Sequence, residues 1–294
     1  MEGAAVEAAW VPRAVDQSQT EASVRSDLAL VYNLLHRFKL NEGACNHLTA
    51  LLPGTTDQFL VNRYGLLWSE VTPENLVLVD ASGHVLEGEG PVEVTAFQIH
   101  RAIHLADPEK YGCVLHTHMP YATALCCIGG HGDAVRGLVN CHQNSLRFHN
   151  DWAFDTKFQG LVHDNTEGDR LASALQGKRV LLHSNHGVIV CGRSVAEAFD
   201  DLYYLERACM HQVLAMSTGQ PLSLVPEPIA IATKREFDLE KPASARLHLD
   251  AWKREEARDS LAKASSAPMQ HLSAMLLAAF VGVLVSAALL VRRK

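Results

Sequence analysis

The stretch Gly112-Cys113-Val114-Leu115-His116-Thr117-His118 has the pattern of a buried β-strand that carries two histidines at its end. Because alternate side chains of a strand point to the same face, His116 and His118 can converge on one ion at metal–nitrogen distances of about 2.0–2.1 Å. For this pair alone, a chance coincidence in a histidine-rich chain is an equally good interpretation, since single motifs mislead. The stretch therefore predicts a buried sheet with a candidate metal site at its end.

A third histidine stands in a similar position, at the end of another apolar run. His186 follows Val180-Leu181-Leu182 and is itself followed by Gly187, which allows a tight turn. It is therefore placed to complete a site of three imidazole nitrogens. Three neutral imidazoles suit Zn, Fe, Mn, Co or Ni, and the sequence does not choose among them. We expect a divalent metal, with Zn as the first candidate. Three protein ligands would leave coordination positions open for water or substrate, as in catalytic metal sites.

The composition of the 294-residue chain is that of a folded globular protein, with 48% apolar and 20% charged residues. The net charge of −7 argues against a general nucleic-acid-binding protein, which needs a basic surface for phosphate. The seven cysteines are odd in number and show no CxxC spacing. We therefore expect no disulfide framework and no thiolate zinc site, and we interpret the thiols as reduced and core-packed.

The chain divides into four segments by its hydrophobic pattern. Residues 1–22 have no clear period and are interpreted as a flexible arm, because they lack the apolar run of a signal peptide. Residues 219–271 are a polar linker with a charged helix over 244–264, for which Ser244 is a candidate N-cap. Between them lies the folded domain, residues 23–218, with helices predicted over 23–38, 92–106 and 196–218 and short strands over 46–85.

The fourth segment, residues 272–291, predicts a membrane anchor. Its 20 residues contain no charge and are followed by Arg292-Arg293-Lys294. At about 1.5 Å per residue such a helix spans about 30 Å, the thickness of a hydrocarbon core. The alternative, a buried core helix, is disfavoured by the uniformly apolar surface and the basic stop. The sequence therefore predicts a single-pass membrane protein with a C-terminal, tail-anchoring transmembrane helix and its large domain in the cytosol.

Residues 23–218 also match a known family at several motifs, which together cover about two thirds of the chain. The matching stretches are Asn46-His47-Leu48-Thr49, Tyr64-Gly65-Leu66-Leu67, Phe97-Gln98-Ile99-His100, His116-Thr117-His118, Asn185-His186-Gly187, Gly192-Arg193-Ser194-Val195-Ala196-Glu197-Ala198-Phe199 and Tyr203-Tyr204-Leu205-Glu206-Arg207-Ala208-Cys209. At these motifs the chain resembles the class II aldolase/adducin head domain, and within that family the adducin-like branch. The resemblance implies an α/β fold of three layers, α/β/α, around a mixed, largely antiparallel central sheet. It also implies metal ligation by His116, His118 and His186 and assembly as a homo-oligomer.

The resemblance leaves the catalytic base open. Sugar-phosphate aldolases of this family carry a carboxylate early in the helix over 92–106, where it ligates the metal and acts as the base. In this sequence that position is Ala96. Glu93 lies one turn earlier on a similar face and is the candidate catalytic residue, with capping or solvation of the helix start as its alternative role. A metal-bound hydroxide is the second candidate for the proton acceptor.

Five residues are candidates for substrate binding by the same resemblance. Asn46 and Gly65 match parts of a phosphate pocket, whereas Thr95 stands where the aldolases have one of two phosphate-gripping serines. The two serine positions are Val94 and Thr95 here, and the loop before Asn46 reads Gly43-Ala44-Cys45, which argues against a phosphorylated sugar as the substrate. His100 is interpreted either as a residue that orients a metal ligand or as a packed helix histidine. His149 lies in a loop that often faces substrate in the family.

Two functions of different classes fit this pattern. The first is a metal-dependent lyase that acts on a small-molecule carbonyl substrate by aldol cleavage or decarboxylation, because a bound cation polarises carbonyl oxygens. The second is a non-catalytic, adducin-like oligomerising module at a membrane, near the cytoskeleton. This fold class hosts both uses, so the fold alone does not decide. Adducins carry a long tail after the head domain, whereas this sequence ends soon after it, which weakens the cytoskeletal interpretation. We therefore favour the enzyme.

Overall fold

One eight-stranded sheet forms the centre of the computed structural model, which describes residues 19–129, 137–160 and 165–266. Its strands are β1 (His47–Leu51), β2 (Gln58–Asn62), β3 (Leu76–Asp80), β4 (Val85–Glu87), β5 (Cys113–Thr117), β6 (Trp152–Asp155), β7 (Val180–His183) and β8 (Gly187–Gly192). Their spatial order is β4-β3-β2-β1-β5-β8-β7-β6, and only the neighbours β6 and β7 run parallel. The sheet is therefore mixed and largely antiparallel, as predicted.

Helices cover both faces of this sheet. In chain order they are α1 (Glu21–Arg37), α2 (Val94–Ala106), α3 (Pro120–Cys126), α4 (Asn165–Ala174), α5 (Val195–Met216) and α6 (Glu227–Ser266). On one face α2 and α4 pack together, and Ile99 and Leu171 join Val114 and Ile189 in a buried apolar cluster. On the other face α5 contacts β5 and β8 and packs against α1 and α3. The predicted three-layer α/β/α arrangement is confirmed.

Strand register brings the histidine motifs to one place in the sheet. β1 pairs with β5 so that His47 lies opposite His116. β7 and β8 form a tight hairpin in which His183 pairs with Gly187. Asn185 in the hairpin turn has a φ of 55°, in the left-handed region that asparagine tolerates better than most residues. The turn that carries His186 therefore lies beside the strand end that carries His116.

The C-terminal helix begins earlier than the sequence pattern predicts. α6 spans Glu227–Ser266, whereas the predicted helix covers 244–264 with Ser244 as its N-cap. Up to Asp250 the helix belongs to the first compact unit of the chain, and Ala251 begins the second. Its buried positions in the first unit are few: Ala230, Lys241, Ala245 and Leu249. Because these positions do not form a continuous apolar stripe, the periodicity of the sequence did not reveal the start of the helix.

The structure corrects the predicted fold class and localisation on one point. Across the residues that the structure describes, no helix has both the length and the apolar character needed to cross a membrane. The fold class with a C-terminal transmembrane helix and the single-pass membrane localisation are therefore wrong by this finding, which also gives no support for the membrane as a partner. The segment on which they rested, 272–291, lies outside the described residues.

Candidate metal centre

Three histidines form a compact triangle at the end of the sheet. His116 is in β5, His118 follows that strand, and His186 lies in the turn between β7 and β8. Their ring centroids are 4.9 to 5.0 Å apart. One ligand nitrogen of each ring lies within 4.8 Å of those of the other two. This spacing lets three imidazoles share one ion, because nitrogen ligands at about 2.0–2.1 Å from a metal lie within this range of one another.

Hydrogen bonds at Nδ1 orient two of these rings. His116 Nδ1 lies 3.0 Å from the carbonyl oxygen of Val188, so Nδ1 carries the proton and donates it. His118 Nδ1 lies 2.5 Å from a carboxylate oxygen of Glu42. His118 Nε2 is buried and has no hydrogen-bond partner in the described part of the chain. A ring nitrogen held by a carbonyl or carboxylate, with the opposite nitrogen bare, is the usual arrangement of a metal-ligating histidine.

Gly187 is required for the close approach of this turn to β5. A Cβ atom at this position would lie 2.6 Å from Cδ2 of His118 and 2.7 Å from the carbonyl oxygen of Thr117. Both distances are shorter than a van der Waals contact, so any side chain here would displace the ring or the strand. The glycine in Asn185-His186-Gly187 thus lets the hairpin lie directly against His118.

Burial favours the neutral imidazole at His116 and His186. Burial, followed by the neighbouring rings of His186 and His118, holds the pKa of His116 well below its usual value. Burial, followed by His183 and His118, lowers the pKa of His186 to about 4. Both side chains are therefore neutral near pH 7 and keep a nitrogen lone pair, which is the state that binds a metal ion.

The candidate base Glu93 lies just before α2, close to the site. Its carbonyl oxygen accepts a hydrogen bond from the backbone N–H of Phe97, so it takes part in the helix start. Its Oε2 also lies 3.7 Å from Nε2 of His47, the residue opposite His116 in the register of β1 and β5. Burial lowers the pKa of His47 to about 4, against the opposing effect of Glu93. Glu93 thus lies close to His47, which pairs with the clustered histidine His116 across the two strands.

His100 faces the same region from α2. It is 1% exposed, and its Nδ1 lies 2.8 Å from the hydroxyl of Thr49 in β1. The same hydroxyl lies 2.8 Å from Nε2 of His104, one turn further along α2. A small cavity of about 10 Å³ is lined by Ile99, His100, His116, Leu171, His183, His186 and Ile189. His100 therefore shares a cavity wall with two of the three clustered histidines.

Three other predicted substrate-binding residues, Asn46, Gly65 and Thr95, lie in different parts of the fold. Asn46 precedes β1 with a φ of 71° and is 4% exposed, and its Oδ1 has no hydrogen-bond partner among the described residues. Gly65 is exposed in the loop after β2, with a φ of 91°. Thr95 lies in the first turn of α2, as does Ala96, and the side chains of both are outside the described part.

His149 lies elsewhere, against the C-terminal helix. It lines a cavity of about 410 Å³ together with Asn150, Ile231, Lys234, Arg235, Asp238 and Leu239. Its Nδ1 lies 2.7 Å from Nδ2 of Asn140, and its Nε2 lies 3.3 Å from a carboxylate oxygen of Glu227. The structure therefore does not bring His149 into the cavity that His100 and the clustered histidines share.

Sequence reasoning missed several residues that contact or adjoin the cluster. Glu42 is 76 positions from His118 along the chain, so no local spacing could indicate their contact. His183 sits beside His186 with ring centroids 5.0 Å apart, and it lies 2.9 Å from Asp155 Oδ2. Thr49 could have been found, because the alternation of a strand puts it on the same face as His47.

Comparison with known proteins places the chain in a family. The model of the "Class II Aldolase and Adducin N-terminal domain" matches residues 26–213. A Pseudomonas aeruginosa protein named for the class 2 aldolases is 35% identical over 71% of this chain and 78% of its own length. Decarboxylase NovR of Streptomyces niveus is 30% identical over 67% of this chain and 70% of its own length.

A solved structure gives the same answer for the fold. The crystal structure of an aldolase II superfamily protein from Pseudomonas syringae superposes with a TM-score of 0.74 at 31% identity, covering 82% of this chain and 95% of that one. The family model covers well over half of the chain and includes β1 to β8, α2 to α4 and all three clustered histidines. The chain belongs to the class II aldolase and adducin family.

Proposed function

We propose that this chain is a divalent-metal-dependent lyase that breaks a carbon–carbon bond in a small oxygenated carbonyl substrate, by aldol cleavage or decarboxylation. The observation that carries the proposal is the triangle of His116, His118 and His186, whose ligand nitrogens lie within 4.8 Å of one another. Family membership supports the reaction class, since the family model is named for class II aldolases and one relative is named a decarboxylase.

The donor set fits a divalent cation and favours Zn, with Fe, Mn and Co as alternatives. Neutral imidazoles are borderline ligands that bind all four ions, and three of them leave positions open for substrate. His118 Nε2, which is buried and has no partner among the described residues, supports this fit, because such an atom is costly unless a ligand satisfies it. When bound, such a cation would supply Lewis-acid stabilisation of the negative charge that bond cleavage leaves on a carbonyl oxygen.

Glu93 is the proposed proton acceptor in place of the family carboxylate, whose position is Ala96. In an aldol cleavage it would take the proton of the substrate hydroxyl on the carbon that becomes the new carbonyl group. Its Oε2 is 3.7 Å from His47 Nε2, a contact that would hold the carboxylate toward the strand end carrying His116. Asn46, whose Oδ1 is buried without a partner in the described residues, is proposed to contact the substrate. Gly65, Thr95 and His149 remain predictions from the resemblance.

Metal content of the purified full-length chain tests the proposal. We expect close to one divalent ion per chain by inductively coupled plasma mass spectrometry, and almost none in His116→Ala. His84→Ala is the matched control, because the His84 side chain is 81% exposed in the turn between β3 and β4. Equal metal content in wild type and His116→Ala, with both folded, would remove the metal centre from the proposal.

Turnover then separates the lyase from a binding module. The metal-loaded chain is assayed on a panel of aldols and 3-oxo acids, with Glu93→Gln beside the wild type. We expect cleavage of at least one class, and a loss of about 10²–10⁴-fold in Glu93→Gln if it is the general base. Turnover that is unchanged in Glu93→Gln would leave the lyase intact and remove this residue as the base.

A second candidate is a non-catalytic, adducin-like oligomerising module. Ala96 favours it, because the position that holds the family base carries no functional group here. This candidate predicts a defined homo-oligomer by light scattering and no turnover on the whole panel, even with metal bound. Any metal-dependent cleavage that disappears in His116→Ala would exclude it.

A further inference from the structure

A buried polar chain links α2 to β1 and is not used by the proposed metal ligands. It consists of His104, Thr49 and His100, which are 0%, 0% and 1% exposed. His104 Nδ1 makes a short contact with the carbonyl oxygen of Tyr111. The Thr49 hydroxyl lies 2.8 Å from His104 Nε2 and 2.8 Å from His100 Nδ1. Three such groups in a dry core need a consistent pattern of donors and acceptors.

Only one pattern of protons satisfies this chain when both rings are neutral. A carbonyl oxygen can only accept, so His104 Nδ1 carries its proton and His104 Nε2 is bare. The single hydroxyl proton of Thr49 must then be donated to that nitrogen. The Thr49 oxygen is left to accept, so His100 Nδ1 carries a proton and His100 Nε2 is a bare acceptor.

Burial keeps both rings in this neutral state. It lowers the pKa of His104 to about 4. Burial, followed by His47 and His104, holds the pKa of His100 well below its usual value. The hydrogen-bonded chain from the Tyr111 carbonyl through His104 and Thr49 therefore fixes the tautomer of His100 that is protonated at Nδ1.

The bare nitrogen has no hydrogen-bond partner among the described residues. His100 Nε2 is buried and makes no hydrogen bond within the described residues. His100 lines the cavity of about 10 Å³ that is also walled by His116 and His186. Such a volume admits one group of about the size of a water molecule. Packing alone would explain the burial of His100, but it would leave the Nε2 lone pair unsatisfied within the described residues.

We propose that His100 is a specificity-determining residue whose fixed Nε2 lone pair accepts a hydrogen bond from an O–H group seated beside the histidine cluster. In the complex this group is a hydroxyl of the substrate. The site thereby favours hydroxylated ligands over otherwise similar ones that lack the donor. The ligand part of this inference rests on the proposed function, whereas the tautomer of His100 does not.

The tautomer is tested on the metal-free full chain by NMR with ¹⁵N-labelled histidine. The His100 signals are assigned by their loss in His100→Phe. We expect the chemical shift of an unprotonated Nε2 and a protonated Nδ1. Thr49→Ser, which keeps the hydroxyl, should retain this pattern, and Thr49→Val should shift it toward the other tautomer. A protonated Nε2 in the wild type, or a pattern unchanged in Thr49→Val, would overturn the inference.

Ligand selection is tested by calorimetry on the zinc-supplemented chain with glycolate and acetate as probes. The two acids differ by one hydroxyl, so the ratio of their affinities isolates the donor. We expect this ratio to fall about tenfold from wild type to His100→Phe, the effect of one buried hydrogen bond, at equal zinc content. Thr49→Ser should keep the ratio.

The outcomes of the two proposals are separable. A chain that holds no zinc overturns the proposed function, whereas the tautomer measurement on metal-free protein still decides the role of His100. An affinity ratio that is the same in wild type and His100→Phe, with zinc bound to both, overturns the inference while leaving the metal centre in place.

Discussion

Glu42 contacts the proposed metal centre at His118. Its Oε2 lies 2.5 Å from His118 Nδ1, although the Glu42 side chain is 67% exposed and that of His118 is 24% exposed. A carboxylate at this position orients the ring and makes the opposite nitrogen a better ligand. The contact matters because the other ring nitrogen of His118, Nε2, has no hydrogen-bond partner among the described residues.

Removal of this carboxylate should weaken metal binding without unfolding the chain. We expect Glu42→Ala to lower the affinity for Zn about 10–100-fold, because the ring loses its orienting partner. Competition with a chromophoric chelator measures the affinity, and Glu42→Gln, which keeps an acceptor oxygen, should lie between the variant and the wild type. Glu89→Ala, at an exposed position after β4, is the control. Identical affinities in Glu42→Ala and wild type would show that the contact has no role in ligation.

Substitution at Gly187 should damage the same centre through the backbone. Because a Cβ would lie 2.6 Å from the His118 ring, Gly187→Ala must move either the ring or the strand. We expect loss of bound metal and a destabilisation of roughly 1–3 kcal/mol, the usual cost of overpacking. Gly129→Ala is the matched control, since nothing lies within 4 Å of a Cβ there. Urea denaturation and metal analysis check both effects, and retention of full metal content would contradict the steric argument.

At the scale of elements, α2 and β1 bury histidines that titrate only when the protein unfolds. His104 lies between Thr49 and the Tyr111 carbonyl and has a pKa of about 4, against 6.5 for an unperturbed histidine. Between these two values the unfolded chain binds more protons than the folded one. Stability contributed by this residue is therefore full above about pH 6.5 and is lost as the pH falls toward 4.

The pH dependence of unfolding should follow this sign. From pH 7.5 to pH 5, His104 alone should reduce the free energy of unfolding by on the order of 2 kcal/mol. The measurement is a pair of urea titrations at the two pH values, in wild type and in His104→Asn. The difference between the two pH values should be smaller in His104→Asn and unchanged in the control His84→Ala. A wild-type stability that rises on acidification to pH 5 would contradict a neutral buried ring.

Element prediction succeeded where local periodicity coincides with burial. The helix predicted over 23–38 is α1 (Glu21–Arg37), and that over 196–218 is α5 (Val195–Met216), since both have apolar residues at helical spacing. The alternation of His116 and His118 predicted their convergence for the same reason. Contacts such as His118 with Glu42 could not be predicted, because they depend on strand order and on a loop far away in the chain.

At the scale of the whole molecule, α6 is attached to the family domain by charge as well as by packing. Lys241 is 6% exposed and makes a short contact with Asp201 of α5, which is 2% exposed. Asp201 Oδ2 also lies 3.3 Å from Arg179 Nη1. Arg179 in turn bonds Asp151 and lies 3.3 Å from Asp238 of α6. A helix with few buried apolar residues is thus held by a buried ionic network, which composition and periodicity do not reveal.

Substitution of Asp201 should reduce the free energy of unfolding more than substitution of Lys241. Asp201→Asn leaves Lys241 buried without its carboxylate and also removes one partner of Arg179, whereas Lys241→Met leaves Asp201 paired with Arg179. Because an uncompensated buried charge is costly, we expect Asp201→Asn to destabilise the chain by about 3–5 kcal/mol and Lys241→Met by clearly less. Urea denaturation of the full chain measures both, and the double variant closes a thermodynamic cycle. If the two single variants lose equal stability and their effects add, Lys241 and Asp201 are not coupled, and this ion pair does not hold α6 to the domain.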